Sequence, residues 1–471
     1  MPFNRNPRPK VLAALSDLKP VPFWLDDPRR PEPASALTRA ITADLVIVGA
    51  GFTGLWTALL AKEEDPSRDV VLLEGNEVGS GASGRNGGFM DHCLTHTFEN
   101  GLQRWPGEIN QLLKSGYENL DAIEATIRRY QIDCDFIRSG EISVATEPYQ
   151  VDELRNAPEL AAQYDYLLEW VDGDGMRKLV HSPTYLGGLI DRNVAMVNPA
   201  QLAWGLRRAC LGLGVRLFER TQVTRLGEEV NGILIQTRYG QVRAKRVALA
   251  TNAFHPLLKR LSDYIVPVYD YALMTEPLTP SQRDSIGWRG REGVGDSGNQ
   301  FHYYRTTDDG RILWGGYDAV YYLNNGMGPQ FEQNFESWAR LADHFFVTFP
   351  QLEGVRFTHA WGGAIDTCSR FSVFWGKAMR SRVAYALGYT GLGVGASRFG
   401  AQVMLDLLDR KDNERTRLEM VRSKPFPFPP EPIRSAVINL TRWSMNRADE
   451  NSGRRNLWLK TLDLLGLGFD S

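Results

Sequence analysis

The chain has 471 residues, of which 43% are hydrophobic and 23% charged; these values are ordinary for globular proteins, and the length predicts two or three domains. Its 54 basic and 56 acidic side chains give a net charge of −2, which provides no electrostatic footprint for nucleic acid or an anionic membrane. The four cysteines (Cys93, Cys134, Cys210 and Cys368) are scattered, so neither a zinc site nor a disulfide framework is indicated. No signal-peptide core or span-length apolar run is visible, and we expect a cytoplasmic protein.

After an extended, proline- and arginine-rich arm over residues 1–39, residues 44–54 predict a strand that runs into a tight turn and a helix. Gly49, Gly51 and Gly54 have the G-x-G-x-x-G spacing of a dinucleotide-binding turn. A second strand, 69–74, ends in Glu74, twenty residues after Gly54, where a carboxylate can bind ribose hydroxyls. An acid at this position argues against the 2′-phosphate of NADP. The alternative is a glycine turn in another βαβ unit, with Glu74 an ordinary solvated acid.

Residues 79–88 are too rich in glycine for regular structure and predict backbone packed tightly against a partner, or a mobile loop. The spacing of apolar residues then predicts helices over about 104–130 and 151–163, with a bent strand or hairpin between them at 135–146.

The second half of the chain is richer in strands. A helix over 201–213 is followed by a strand at 215–219 and by a three-stranded meander over 221–249. A β-rich stretch follows at 264–320, then a helix at 329–347. A strand–turn–helix unit begins near residue 383, and its helix covers about 395–410. A proline-rich segment, 424–434, marks a tail.

Taken in order, these features resemble the D-amino-acid-oxidase-like family of FAD-dependent amine oxidoreductases, nearest to its γ-glutamylputrescine-oxidase-like branch. The landmarks are the glycine turn with Glu74, the Ser83–Gly88 loop, Asn198-Pro199, Ala250–Ala253, Thr275–Leu278, Tyr304-Arg305, Gly310–Gly316 and Gly388–Val394. They cover about residues 23–410.

The resemblance implies a fold of class α/β plus β: a Rossmann-type FAD-binding domain, with a central parallel sheet and a β-meander, interleaved with a mainly antiparallel substrate domain. It implies an FAD-binding domain built from 40–98, 190–262 and 350–411. The substrate domain would comprise 99–189 and 263–349, flanked by the 1–39 arm and a 412–471 tail.

The resemblance also implies the residues that hold FAD, which we expect to be bound non-covalently. The expected cofactor residues are Gly49, Gly51, Phe52, Thr53, Gly54, Glu74, Gly75, Gly81, Ser83, Arg85, Asn86, Gly87, Gly88, Val223, Thr251, Asn252, Gly391, Leu392, Gly393 and Val394. No metal is expected.

The implied reaction is hydride transfer from an amine or amino acid to flavin N5, giving an imine that water hydrolyses, with molecular oxygen reduced to hydrogen peroxide. One alternative is a dehydrogenase of the same fold that passes electrons to a quinone or a carrier. Another is a flavin monooxygenase, for whose nicotinamide donor no second glycine-rich fingerprint is visible. A third is a binding module that uses the fold as a scaffold.

Four residues are candidates for contact with the substrate. Arg305 could bind a carboxylate bidentately, or it could be a surface arginine paired with Asp308 or Asp309. Tyr271 and Trp361 could line the pocket or pack in the core. His302 is a catalytic candidate, although a lone histidine more often has a structural role.

Overall fold

The computed structural model describes residue 3 and residues 7–467. Within them the strands are β1 Ala40–Val48, β2 Val70–Leu73, β3 Phe89–Met90, β4 Glu141–Ala145, β5 Glu169–Asp172, β6 Gly187–Asp191, β7 Ala195–Met196, β8 Arg216–Phe218, β9 Val223–Glu229, β10 Gly232–Thr237, β11 Gln241–Leu249, β12 Val266–Thr275, β13 Gly293–Asp296, β14 His302–Thr306, β15 Ile312–Gly316, β16 Val320–Tyr321, β17 Phe357–Thr367, β18 Phe374–Ala378 and β19 Val383–Leu387.

The α-helices of the same residues are α1 Pro9–Ala13, α2 Phe52–Glu64, α3 Phe98–Arg104, α4 Ile109–Arg129, α5 Pro148–Ala162, α6 Gly173–Leu179, α7 Pro199–Gly212, α8 Pro280–Ile286, α9 Phe335–Thr348, α10 Gly393–Asp409, α11 Glu414–Arg417, α12 Glu419–Arg422, α13 Ile433–Glu450 and α14 Leu457–Leu464. No helix in this part of the chain is both long enough and apolar enough to span a membrane.

The first large sheet has the strand order β18-β19-β11-β1-β2-β8, and all its neighbours are parallel except the edge pair β18–β19. Val48 pairs with both Leu249 and Leu73, so the carboxyl ends of β1, β11 and β2 lie side by side. The meander β9–β10–β11 adds the expected antiparallel strands. In such sheets ligands bind beyond the carboxyl ends of the strands.

The second large sheet has the order β16-β12-β15-β14-β13-β4-β6-β5, with β17 on the other side of β12. It is antiparallel except for the pair β13–β4. One of its strands comes from an unexpected part of the chain: β17 lies within 350–411, a segment that the sequence assigns to the FAD-binding domain. β17 pairs with β12 over Val266–Thr275, and the chain then continues into β18 of the first sheet, so this segment links the two sheets.

The predicted fold class is confirmed, and the local differences have simple causes. The predicted 104–130 helix is α4, which begins only at Ile109 because Pro106 lies in the break that separates it from the shorter helix α3. In the described part of the arm, helix α1 and turns over residues 14–17 interrupt the predicted extended chain, and Lys19 forms a bridge with His359 beside the second sheet. The tail contains α11 to α14, which the proline-rich sequence at 424–434 does not indicate.

Candidate functional site

A cavity of about 910 Å³ lies between the carboxyl ends of the first sheet and one face of the second. All the expected cofactor residues line it except Gly54 and Gly88, which pack immediately behind it. Such volumes are at the upper end of the range for small-molecule sites, as an extended dinucleotide requires.

The glycine turn is shaped by backbone contacts that leave no space for side chains. Gly49 has a φ of +99°, and a Cβ there would lie 2.4 Å from the carbonyl oxygen of Ala250. A Cβ on Gly54 would lie 1.8 Å from the carbonyl oxygen of Gly49, so this glycine lets α2 pack against the turn. Gly51, Phe52 and Thr53, at the start of α2, line the cavity.

Glu74 follows β2 and borders the cavity beside this turn. Its carboxylate accepts hydrogen bonds from the backbone N–H of Ala50 at 2.7 Å and of Asn76 at 2.8 Å. Burial raises the pKa of Glu74, and these backbone donors oppose the shift. The carboxylate is therefore fixed at the position where the sequence predicts ribose binding.

The glycine-rich loop 79–88 is ordered, because donors from distant parts of the chain bind its carbonyl groups. The indole N–H of Trp24 donates to Asn86 O at 2.9 Å, and that of Trp361 donates to Arg85 O at 2.8 Å. Ser83 Oγ accepts from the N–H of Phe52 at 2.9 Å, which connects the loop to α2. Of the two predicted alternatives, tight packing is therefore the one realised.

A second helix, α10, begins at the cavity after the turn that leaves β19. Gly391 has a φ of +94°, and nothing lies within 4 Å of the position of its absent Cβ. Asp366 stabilises the turn by accepting from the N–H of Gly388 at 2.6 Å. Burial raises the pKa of Asp366 to about 7. Leu392, Gly393 and Val394 line the cavity, so the start of α10 faces it.

The opposite wall is the second sheet, and alternate residues of β12 contribute to it. Val266, Val268, Asp270 and Ala272 of β12 line the cavity, and each pairs directly with a lining residue of β17. Trp361 is the β17 partner of Ala272 and lines the same wall.

Asp270 is the polar member of this apolar row. Its carboxylate accepts from the hydroxyl of Tyr303 at 2.7 Å, and both residues line the cavity. Burial raises the pKa of Asp270 to about 6. Neither residue of this pair is among the predicted site residues, although a single acid within the apolar run 266–272 is a signal that could have identified Asp270.

Tyr271 is buried and also contributes to the lining, but its hydroxyl is engaged by Tyr322 and by the carbonyl of Phe331, each at 2.8 Å. Its hydroxyl therefore holds the segment 322–331 against β12.

Arg305 lies outside the cavity lining and is 1% exposed. Its Nη1 donates to Val197 O at 2.8 Å and to Gly88 O at 3.4 Å, and its Nη2 lies 3.5 Å from Asp135. Arg305 therefore supports the end of the glycine loop from behind. Neither reading given by the sequence, a carboxylate ligand or a surface arginine, matches this position.

His302 also lies outside the lining, because it points to the opposite face of β14 from Tyr303. Its Nδ1 lies 2.6 Å from an Asp296 oxygen, and its Nε2 lies 2.9 Å from His344 Nδ1. This buried network corresponds to the structural role that a lone histidine more often has.

Comparison with known proteins identifies the family of this chain. Residues 44–407 match the FAD dependent oxidoreductase family. The chain belongs to this family. It is 32% identical over 403 residues to the gamma-glutamylputrescine oxidoreductase of Escherichia coli K12, covering 84% of this chain and 90% of that protein.

Two further relatives agree. A probable oxidoreductase, OrdL, from Haemophilus influenzae is 29% identical over 80% of this chain and 85% of its own length. The crystal structure of glycine oxidase from Geobacillus kaustophilus superimposes with a TM-score of 0.66 at 19% identity, covering 79% of this chain and 96% of that one, which shows a shared fold. The predicted family and the FAD cofactor are confirmed, and the protein is an FAD-dependent oxidoreductase.

The residues present fit FAD. Gly391 has open space where a Cβ would lie, so a ligand can approach its backbone closely, and the crowded turn at Gly49 and Gly51 lines the same cavity. Helices α2 and α10 both begin at the cavity, and neither N-cap residue has a side-chain cap, although Ser83 Oγ accepts from the N–H of Phe52 at the start of α2. Open helix N-termini bind phosphate and other anionic oxygens.

Proposed function

We propose that this FAD-dependent oxidoreductase oxidises the C–N bond of an amine or amino acid, with molecular oxygen as the electron acceptor. The overall reaction takes amine, oxygen and water to an aldehyde or keto acid, the released amine or ammonia, and hydrogen peroxide. Support comes from the names of two similar proteins, a gamma-glutamylputrescine oxidoreductase and a glycine oxidase. The observation that carries the proposal is the Asp270–Tyr303 pair, a half-buried acid that lines the cavity.

Asp270 would prepare the amine for oxidation. An alkyl ammonium ion has no lone pair, so it must lose a proton before its Cα–H bond can be broken as hydride. Above pH about 6 Asp270 is a carboxylate, which attracts the ammonium ion and can take its proton. The Tyr303 hydroxyl donates to Asp270 and orients it toward the cavity.

Bound FAD supplies the two-electron oxidant that accepts the hydride. The chain's own residues set its position: the glycine turn and Glu74 would hold the ADP portion, and residues 391–394 would face the flavin ring. The remaining expected cofactor residues in the lining of the same cavity are Gly75, Gly81, Ser83, Arg85, Asn86, Gly87, Val223, Thr251 and Asn252. Trp361 and Ala272 give the wall next to Asp270 an apolar surface that limits water.

We further propose that FAD is held without a covalent bond. All four cysteines lie within the described residues, and none of them lines the cavity. Release of intact FAD on acid precipitation tests this, and flavin that stays with the precipitate contradicts it.

The proposed reaction is tested by mixing the FAD-loaded enzyme with amines and amino acids under an inert gas and following the visible absorbance of the oxidised flavin. Loss of that absorbance, followed by oxygen uptake and peroxide formation on admission of air, is the expected result. Bleaching without oxygen uptake supports the dehydrogenase instead. Bleaching by NADPH alone supports the monooxygenase.

A further inference from the structure

The C-terminal part of the chain, beyond the family match at residue 407, forms one wall of the cavity. Five residues of α13 contribute: Val437, Ile438, Thr441, Arg442 and Met445. Their spacing places them on one face of the helix. This wall lies against the second sheet, since the described chain has α13 in contact with β16.

Helix α13 is fixed at both ends. Near its start, Arg434 makes an ion pair of 2.6 Å with Asp263. Near its end, the buried carboxylate of Asp449 accepts from the backbone N–H of Asn299 at 3.0 Å and of Gln300 at 3.1 Å. Because these contacts join α13 to the second sheet and its loops, the helix belongs to the architecture of the site.

Arg442 lies midway along this fixed helix and has no acidic partner. Its Nη1 donates to the Ala319 carbonyl at 3.4 Å, and no carboxylate of the described residues lies within 4 Å of its guanidinium group. Arg85, the other arginine in the described lining, is paired with Glu332 at 2.7 Å. Arg442 is a half-buried residue of the cavity lining, and a guanidinium group there without a counter-ion is suited to an anionic ligand.

The position of Ala319 places this guanidinium group beside the proposed reaction centre. Val320 pairs with Tyr269 and Gly315 pairs with Ala272, so the irregular segment 317–319 lies across from Asp270 in the sheet. Arg442 and Asp270 therefore lie on neighbouring parts of the lining of one cavity. Arg442 provides a positive charge and Asp270 a negative charge. This arrangement matches a molecule with a cation at one end and an anion at the other.

We infer that Arg442 binds a carboxylate of the substrate, so that the preferred substrates are amines with a carboxylate remote from the nitrogen that is oxidised. The inference rests on the proposed amine oxidation and extends it to a substrate class. It also assigns the specificity to α13, outside the part of the chain that matches the family.

A binding experiment tests the anion site without turnover. Pentanoate and pentanamide have matched length and no amine to be oxidised, and their binding to the FAD-loaded enzyme is measured by calorimetry. Arg442→Met should weaken pentanoate binding roughly 10- to 100-fold and leave pentanamide binding unchanged. The pentanoate affinity of Arg442→Lys should lie between those of the wild type and Arg442→Met. Arg447→Met is the matched control, because Arg447 lies on the same helix but is 57% exposed and paired with Glu450.

Equal pentanoate affinity in the wild type and Arg442→Met, or no pentanoate binding by the wild type, overturns the inference. So does a loss of bound FAD or of thermal stability in Arg442→Met, since the residue would then support the fold or the cofactor. The flavin content and the melting midpoint of each variant are therefore measured with the affinities.

A turnover experiment completes the test with ω-amino carboxylates and their carboxamides of the same chain length. The wild type should prefer the carboxylates in kcat/KM, Arg442→Met should lose that preference through KM, and Arg447→Met should keep it. A preference that survives in Arg442→Met contradicts the inference. If no amine bleaches the flavin while pentanoate binding still depends on Arg442, the proposed function fails and the anion site stands.

Discussion

The two ends of the cavity differ in the groups that line them. The glycine end, defined by residues 49–54 and Glu74, is shaped by backbone that is too crowded for a Cβ at Gly49 and Gly54. The sheet end, defined by Asp270, Tyr303, Trp361 and α13, is made of side chains from strands and a helix far apart in sequence. Backbone geometry suits a cofactor that is common to a family, while side chains can change with each substrate. The comparison therefore predicts that mutations at the glycine end remove FAD and that mutations at the sheet end change the chemistry.

The largest effect is expected at the glycine end, from Gly54→Ala. The added Cβ would lie 1.8 Å from a backbone oxygen that no side-chain rotation can move. We expect loss of bound FAD and a marked drop in melting temperature. Gly212→Ala is the same substitution at an exposed helical position with nothing within 4 Å, and it should bind FAD normally and gain up to about 1 kcal/mol in stability. Normal flavin content in Gly54→Ala would contradict the expectation that the glycine end is needed for FAD binding.

At the sheet end, Asp270→Asn should retain FAD but lower kcat/KM by roughly 100-fold, because the amide cannot take a proton. In the wild type the carboxyl group is protonated as the pH falls below about 6, so kcat/KM should decrease there by about tenfold per pH unit. The acid limb should disappear in Asp270→Asn. Asp308→Asn, at an 86% exposed side chain, serves as the control. A limb near pH 6 that persists in Asp270→Asn would exclude this residue as its source.

The two ends also differ in how far the sequence predicts them. The glycine turn and Glu74 are readable because a strand, a turn, a helix and an acid follow one another at fixed spacing. Asp270 and Tyr303 belong to separate strands, and only the register of the second sheet brings them together. Arg442 follows a proline-rich segment that gives no indication of a cavity wall.

Arg305 is the opposite case: the sequence indicates a site residue, but the side chain lies outside the cavity lining. Its position among aromatic residues indicates a site, but the loop ending at Gly88 covers it, and its donors bind backbone carbonyl groups. Local pattern gives the face of a strand; what lies over that face is decided by distant residues.

A smaller effect is expected from Glu74→Gln. The change keeps the size of the side chain and removes the charge, so the dissociation constant of FAD should rise about tenfold or more. At saturating FAD, kcat should be unchanged, since this end does not touch the substrate. Glu353→Gln, 62% exposed, is the control, and equilibrium dialysis of apoprotein with FAD gives the affinities. A fall in kcat at saturating FAD would contradict the separation of the two ends.

The smallest effect is expected from Trp361→Phe, which removes the N–H donor to the Arg85 carbonyl but keeps an aromatic wall. One lost hydrogen bond is worth about 0.5–1.5 kcal/mol, so we expect a shift of a few degrees at most in the melting midpoint. Trp443→Phe, whose residue is 55% exposed, should give no shift. Because Trp361 also holds the glycine-rich loop 79–88 through Arg85, we expect at most a modest loss in FAD affinity and in kcat/KM, and a large loss in either would contradict this.

Rapid mixing of the FAD-loaded enzyme with an ω-amino carboxylate in the absence of oxygen tests the central proposal most directly. We expect the wild type to lose its oxidised-flavin absorbance in one exponential phase. Asp270→Asn, with equal FAD content, should do so roughly 100-fold more slowly. Flavin that stays oxidised with every amine, or that is reduced equally fast in both proteins, would contradict it.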